Sequence, residues 1–180
     1  MSEDLEPPWV FRYMDDPAET TARDLNEEPS LRPVVPVRLL NGDEISTRAV
    51  ALVDSGSERT YAAPGYAREI GIDLRNSIET MVGLGGSRRL VRFAYARVQL
   101  MQDLLGDTVV LAEWETRIGF LANWEPPWSV LLGQRGFFDQ FTITMHRAVP
   151  ALVVEKYEAF DERYGVQVET VDLRQPRFRQ

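Results

Sequence analysis

Two runs rich in Val and Leu, residues 33–40 and 45–53, flank the tetrapeptide Asn41-Gly42-Asp43-Glu44. An Asn-Gly step between β-forming runs supplies the backbone angles of a tight hairpin turn, so this part of the chain is committed to antiparallel β-structure. The second run then stops abruptly, as Ala51-Leu52-Val53 gives way to Asp54-Ser55-Gly56-Ser57. A carboxylate, a hydroxyl and a glycine therefore sit at the exit of an apolar strand. By average residue frequencies, an Asp-Ser/Thr-Gly tripeptide arises by chance in roughly one in ten chains of this length. The plain alternative is a turn in which the Asp side chain bonds its own backbone.

The remaining pattern is also mostly β. Pro64 starts a short helix through Ile70, and Gly71 ends it. Residues 78–82 and 90–100 predict a second hairpin with the glycine-rich tip Gly83-Leu84-Gly85-Gly86-Ser87-Arg88-Arg89. Further strands are expected at 108–112, 116–121, 128–132, 141–145 and 151–155, with a helical turn or two at 136–141. Val166, Val168 and Val171 are spaced for one more strand. The sum is about eight short strands and two short helices, a mostly β fold.

A length of 180 residues predicts one domain with a short appendage. Residues 1–32, acidic and rich in Pro, read as a partly ordered arm; its apolar island Trp9-Val10-Phe11 could dock as an added strand. The domain proper is assigned to 33–158, and 159–180 is a polar tail. The net charge is −8, but the first 30 residues hold nine acids against two Arg, so the rest is nearly neutral. Such a chain offers no bulk field for nucleic acid or anionic lipid, and neither partner is expected. Arg88, Arg89 and Arg92 form a local basic patch, by default a solvated hairpin flank and, as a minor alternative, a contact for acidic substrate.

The chain has no Cys, which removes disulfides, thiol catalysis and thiolate metal sites, and the single His146 cannot anchor a multi-His centre. No cofactor or metal is expected. The start, MSEDLEPPWV, is acidic where a secretory signal is basic, and no stretch approaches 18 apolar residues, so a cytoplasmic location is expected. The glycines at 83–86 lack a following Gly-Lys-Ser/Thr, which argues against a phosphate cradle and for a hairpin tip.

An aspartic protease needs two carboxylates sharing one proton, one activating water as general base while the other acts as acid. In this light the chain resembles the retropepsin-like aspartic protease family over residues 33 to 155. Val53-Asp54-Ser55-Gly56-Ser57 resembles the catalytic loop, and residues 60–72 resemble the strand and short helix that follow it. Val82-Gly83-Leu84-Gly85-Gly86 is similar to the flap tip, and Val130-Leu131-Leu132-Gly133 to the apolar run before a Gly that underlies the catalytic loop. The resemblance implies a closed β-barrel with one or two short helices. It also implies catalysis by Asp54, with Ser55 bracing the loop and Gly56 permitting close approach. Ser57, Glu58, Arg59, Gly83, Leu84, Gly85 and Gly86 would face a peptide substrate.

Two features qualify the resemblance. Many members carry a charged residue directly after the second Gly, where this chain has Gln134 followed by Arg135. Pairing of Glu58 with Arg135 is one way to replace that brace. Only one Asp-Ser/Thr-Gly is present, since Asp73, Asp103 and Asp107 lack the hydroxyl and glycine. The resemblance thus implies a homodimer that brings Asp54 against its twofold mate, with activity favoured at acidic to neutral pH. The expected activity is aspartic endopeptidase action on peptide or protein substrates. The alternative is a non-catalytic dimer of the same fold that binds peptide or acts as a scaffold.

Overall fold

The computed structural model describes residues 8–16, 30–84, 86–104, 107–124 and 127–170. In chain order the strands are β1 (Trp9–Arg12), β2 (Met14–Asp15), β3 (Leu31–Arg32), β4 (Val34–Asn41), β5 (Glu44–Ile45), β6 (Ala49–Val53) and β7 (Tyr61–Ala62). Helix α1 (Pro64–Glu69) and a single tighter turn at Leu74–Asn76 precede β8 (Ile78–Leu84), β9 (Ser87–Leu104) and β10 (Asp107–Leu121). The chain continues through β11 (Val130–Leu132), β12 (Phe141–His146) and β13 (Ala151–Lys156) into α2 (Tyr157–Thr170).

Eight strands form one sheet in the order β5-β4-β6-β11-β7-β10-β9-β8, and an additional pairing of β4 with β9 bends it into a ring. Each element supports that closure. Strand β6 alternates, with Ala49, Ala51 and Val53 buried and Val50 and Leu52 half-buried, so one side of it faces the interior. Strand β4 pairs with β6 from Val34↔Leu52 to Val37↔Ala49, then passes to β9 from Val37↔Leu100 to Leu40↔Arg97. Val35, Val37, Leu39, Val98, Leu100, Ile118, Phe120 and Leu132 fill the interior, each at most 1% exposed. The mostly β fold expected from sequence is observed, and the expected closed barrel takes this ring-like form.

Helix α1 lies where Pro64 and Gly71 predict it, with Gly71 at φ +68° just beyond its end. Other expectations are corrected. The two strands expected at 108–121 are the single strand β10, which absorbs a β-bulge between Val110 and Ala112 instead of breaking. Residues 136–140 form hydrogen-bonded turns rather than a helix: the Phe137 carbonyl accepts from both Gln140 and Phe141, the first residue of β12. Gly136 at φ +103° holds the start of the segment out of helical backbone, and Phe137 and Phe141 pack against Trp114 with ring centroids 5.9 and 5.0 Å away. The strand expected around Val166 and Val168 is also absent, since helix α2 runs through Thr170; Val171 lies outside the described residues. Good helix formers, Glu158, Ala159, Glu162 and Arg163, outweigh the Val spacing, and the Arg163 guanidinium bonds the buried Glu155 carboxylate.

The apolar island at the start is the docked strand β1. It pairs antiparallel with β13 from Trp9↔Val154 to Arg12↔Ala151, making a separate sheet in the order β1-β13-β12. Phe11 is buried and Trp9 meets the Phe141 ring edge-on at 6.1 Å, so the segment is held by aromatic packing as well as by ladder hydrogen bonds. No helix among the described residues is long and apolar enough to cross a membrane.

Candidate active site

Strand β6 runs parallel to β11, with Val53 opposite Leu132, and the ladder extends one step as the Asp54 amide donates to the Leu132 carbonyl at 3.0 Å. The chain then turns. The Gly56 amide donates to Asp54 Oδ1 at 2.9 Å and the Ser57 amide to the Asp54 carbonyl at 3.1 Å. This is the turn in which an Asp caps its own backbone, the plain reading of the tripeptide, and it also sets the direction of the carboxylate. Oδ1 is thereby engaged, whereas Oδ2 of the half-buried Asp54 bonds no described residue.

Residues 54–60 wrap around the end of β11 and re-enter the sheet as β7, which is antiparallel to β11 and parallel to β10. Gly133 lies inside the wrap. A Cβ at that position would sit 2.3 Å from the Arg59 carbonyl oxygen and 2.7 Å from that of Ser57, so only glycine lets the two backbones pass. The Gln134 amide donates to the Ser57 carbonyl at 2.8 Å and the Arg135 amide to the Glu58 carbonyl at 2.9 Å. Thr60 completes the lock from a fully buried position, donating its hydroxyl to the Arg135 carbonyl at 3.1 Å and accepting from the Gly133 amide at 3.4 Å.

The brace expected from Ser55 is held within the chain by other groups. The Ser55 hydroxyl is exposed and bonds no described residue, while the Ser55 carbonyl accepts from Gln134 Nε2 at 2.8 Å. Gln134, a departure from the common charged residue, thus ties the loop with a neutral amide. Glu58 does approach Arg135, at 3.7 Å, and Arg59 at the same distance, but both exceed a hydrogen bond. Ser57 is buried, its hydroxyl donating to the Arg59 carbonyl at 2.8 Å.

A cavity of about 560 Å³ opens over this loop, lined by Asp54, Gly56, Ser57, Glu58, Arg59 and Tyr61 and, from the hairpin, by Met81, Val82 and Gly83. The hairpin is β8 paired with β9 from Ile78↔Phe93 to Leu84↔Ser87. Gly86 at its tip adopts φ +76°, a conformation open to glycine at no cost. Gly85 and the Leu84 side chain lie outside what the structure describes. The hairpin and the Asp54 loop, far apart in sequence, therefore share one cavity.

The charges around it are few. Burial pushes the Tyr61 phenol above its ordinary value, with Arg59 opposing and Glu58 adding, so Tyr61 stays neutral at ordinary pH. Among the described residues no group of three or more His, Asp or Glu is placed to hold a metal ion.

Sequence reasoning missed Thr60, Tyr61 and Met81. Thr60 is identifiable only by its partners, Gly133 and Arg135, which are remote in the chain. Met81 lines the cavity together with its neighbours Val82 and Gly83, so strand alternation does not single it out.

Among solved structures, the chain is similar to retropepsin-like aspartic proteases. The retropepsin-like aspartic protease from Rickettsia conorii is 12% identical, with 87% of this chain and 98% of that one covered at a TM-score of 0.44. The EIAV protease in complex with an inhibitor is 18% identical, covering 62% and 86% at a TM-score of 0.35. The retroviral protease-like domain of Ddi1 from Leishmania major is 15% identical, covering 69% and 93% at a TM-score of 0.37. No family model matches the sequence, and no curated protein matches it.

Proposed function

We propose that this protein is an aspartic endopeptidase, active as a homodimer, in which the Asp54 carboxylates of two copies activate one water between them. The observation that carries this reading is the shared cavity: a strand-end Asp on a doubly braced loop faces a glycine-tipped hairpin across a space of about 560 Å³. One carboxylate takes a proton from water as its oxygen attacks the peptide carbonyl. The other gives its proton to the carbonyl oxygen, and collapse of the tetrahedral diol returns a proton to the departing amine. No metal or covalent intermediate is required.

The chain supplies one Asp-Ser-Gly loop, so the second carboxylate comes from a twofold mate. In this arrangement Ser55, whose hydroxyl bonds none of the described residues, braces the loops across the axis. Ser57 shapes the loop from beneath, Glu58 and Arg59 contact substrate, and the tip from Gly83 to Gly86 closes over it and excludes solvent. The catalytic unit is 33–158, with the arm contributing β1 and the segment 159–180 lying beyond it. The cytoplasm is the proposed location.

The test is digestion of a degenerate peptide library by the wild type and by Asp54→Asn. Cleavage by the wild type alone is expected. Equal products from both proteins would contradict a catalytic Asp54, and an inert wild type that dimerises and binds peptide would show the fold serving as a binding module.

A further inference from the structure

One wall of the cavity carries a guanidinium that the chain pairs only loosely. Arg59 lines the cavity and its guanidinium lies over the Phe93 ring, 5.4 Å from the centroid. Arg117, from β10, lies over the same ring at 4.8 Å. Neither guanidinium hydrogen-bonds to any described residue. The one carboxylate near Arg59 is Glu58 at 3.7 Å, and Glu58 is divided between Arg59 and Arg135. The Arg59 side chain is 27% exposed whereas Glu58 is 69% exposed, so the cation is the more desolvated partner and the anion stays in water.

Three other arginines on or beside this sheet meet carboxylates closely. Arg92 meets Glu79 at 2.7 Å, Arg97 meets Glu113 at 2.7 Å, and Arg48 grips Asp103 with two bonds of 2.8 and 2.7 Å. The cavity itself holds the Asp54 and Glu58 carboxylates, yet neither hydrogen-bonds the Arg59 guanidinium. Cation–π attraction over a ring uses none of a guanidinium's N–H donors, which stay available for a carboxylate. Arg89, half-buried and also without a bonded partner among the described residues, is the cross-strand neighbour of the cavity-lining Val82 and adds to the same field.

We infer that the cavity selects peptides bearing an Asp or Glu side chain, whose carboxylate docks on Arg59 with Phe93 behind it and Arg117 reinforcing the charge. This rests on the cavity being the peptide site of the proposed protease and specifies its substrate class. In a twofold dimer the feature occurs twice, so acidic residues are favoured on both sides of the reaction centre.

The test uses the full-length Asp54→Asn protein, which binds without turnover, and fluorescent peptides differing only by Glu, Gln or Lys at one central position. Anisotropy should give the Glu peptide a Kd about tenfold below that of the Gln peptide, with Lys weakest. Raising salt from about 50 mM to about 500 mM should shrink that ratio. Adding Arg59→Gln should remove the Glu advantage while the Gln peptide still binds, and Arg59→Lys should restore part of it. Equal Kd values for Glu and Gln peptides, or no binding of any peptide, would overturn the inference, and neither comparison depends on an arginine variant folding. A Glu preference in binding together with a wild type that cleaves nothing would uphold the inference and defeat the protease reading, so the two fail separately.

Discussion

The side-chain amide of Gln134 donates to the backbone carbonyl of Ser55 at 2.8 Å, tying the exit of β11 to the loop that carries Asp54. A neutral amide thus takes the place at which the resemblance leads one to expect a charge, and it positions the loop without adding charge beside the carboxylate.

That bond predicts a separation of activity from stability. Gln134→Ala removes one exposed hydrogen bond worth about 1 kcal/mol, so thermal unfolding should move by no more than about 4 °C. Loop placement matters more to the reaction, and kcat should fall about tenfold or more. A variant that loses Tm and activity in proportion would show that Gln134 serves the fold alone.

Gly133 and Gly83 make opposite predictions. A Cβ at Gly133 meets the Arg59 and Ser57 carbonyls, backbone atoms that cannot swing aside, so Gly133→Ala should cost about 3 kcal/mol or more in denaturant unfolding. Gly83 has nothing within 4 Å of such a Cβ. Gly83→Ala should leave stability within about 0.5 kcal/mol of the parent. Equal costs at the two positions would contradict the threading of the loop around β11.

Acid should weaken the fold through identified carboxylates. Hydrogen bonds from Arg48 and then Thr108 hold Asp103 below its ordinary 3.8, and the Arg75 side chain and amide hold Asp73 at about 2. A carboxyl depressed in the folded state binds its proton later than in the unfolded chain. Its contribution is therefore complete above about pH 4 and is lost as pH falls toward 2. Tm measured between pH 5 and 2 should decline, and Asp103→Asn should decline less steeply over the same interval. Parallel curves would remove Asp103 from this account.

The parts legible in the sequence are those fixed by local chemistry. Pro64 and Gly71 bound α1, and Asp54 ends an apolar strand, each through residues adjacent in the chain; the first hairpin turns on Gly42-Asp43, between the paired Asn41 and Glu44, one place along from the expected Asn-Gly step. Trp9 and Phe11 could be read as a docking strand because apolar residues in an acidic arm need somewhere to be buried. The errors fall where a longer stretch of chain overrules a local pattern. Gly136 at φ +103° turns the chain before Phe137 in place of the expected helix, and the helix formers ahead of Val166 carry α2 past the alternating valines. In the site, the Thr60 clamp and the stack of Arg59 and Arg117 on Phe93 join residues from separate strands, and no single-strand pattern announces them.

The central claim is that each chain contributes one carboxylate and the reaction needs two. It is tested most directly by mixing wild type with Asp54→Asn protein at a concentration where light scattering shows dimers. With an equal amount of the variant and free exchange of subunits, about half of the wild-type chains pair with an inactive mate, so cleavage should fall to about half of that given by the same wild-type amount alone. A larger excess of Asp54→Asn should suppress it further. Activity that stays constant however much variant is added would contradict a site shared between two copies of Asp54.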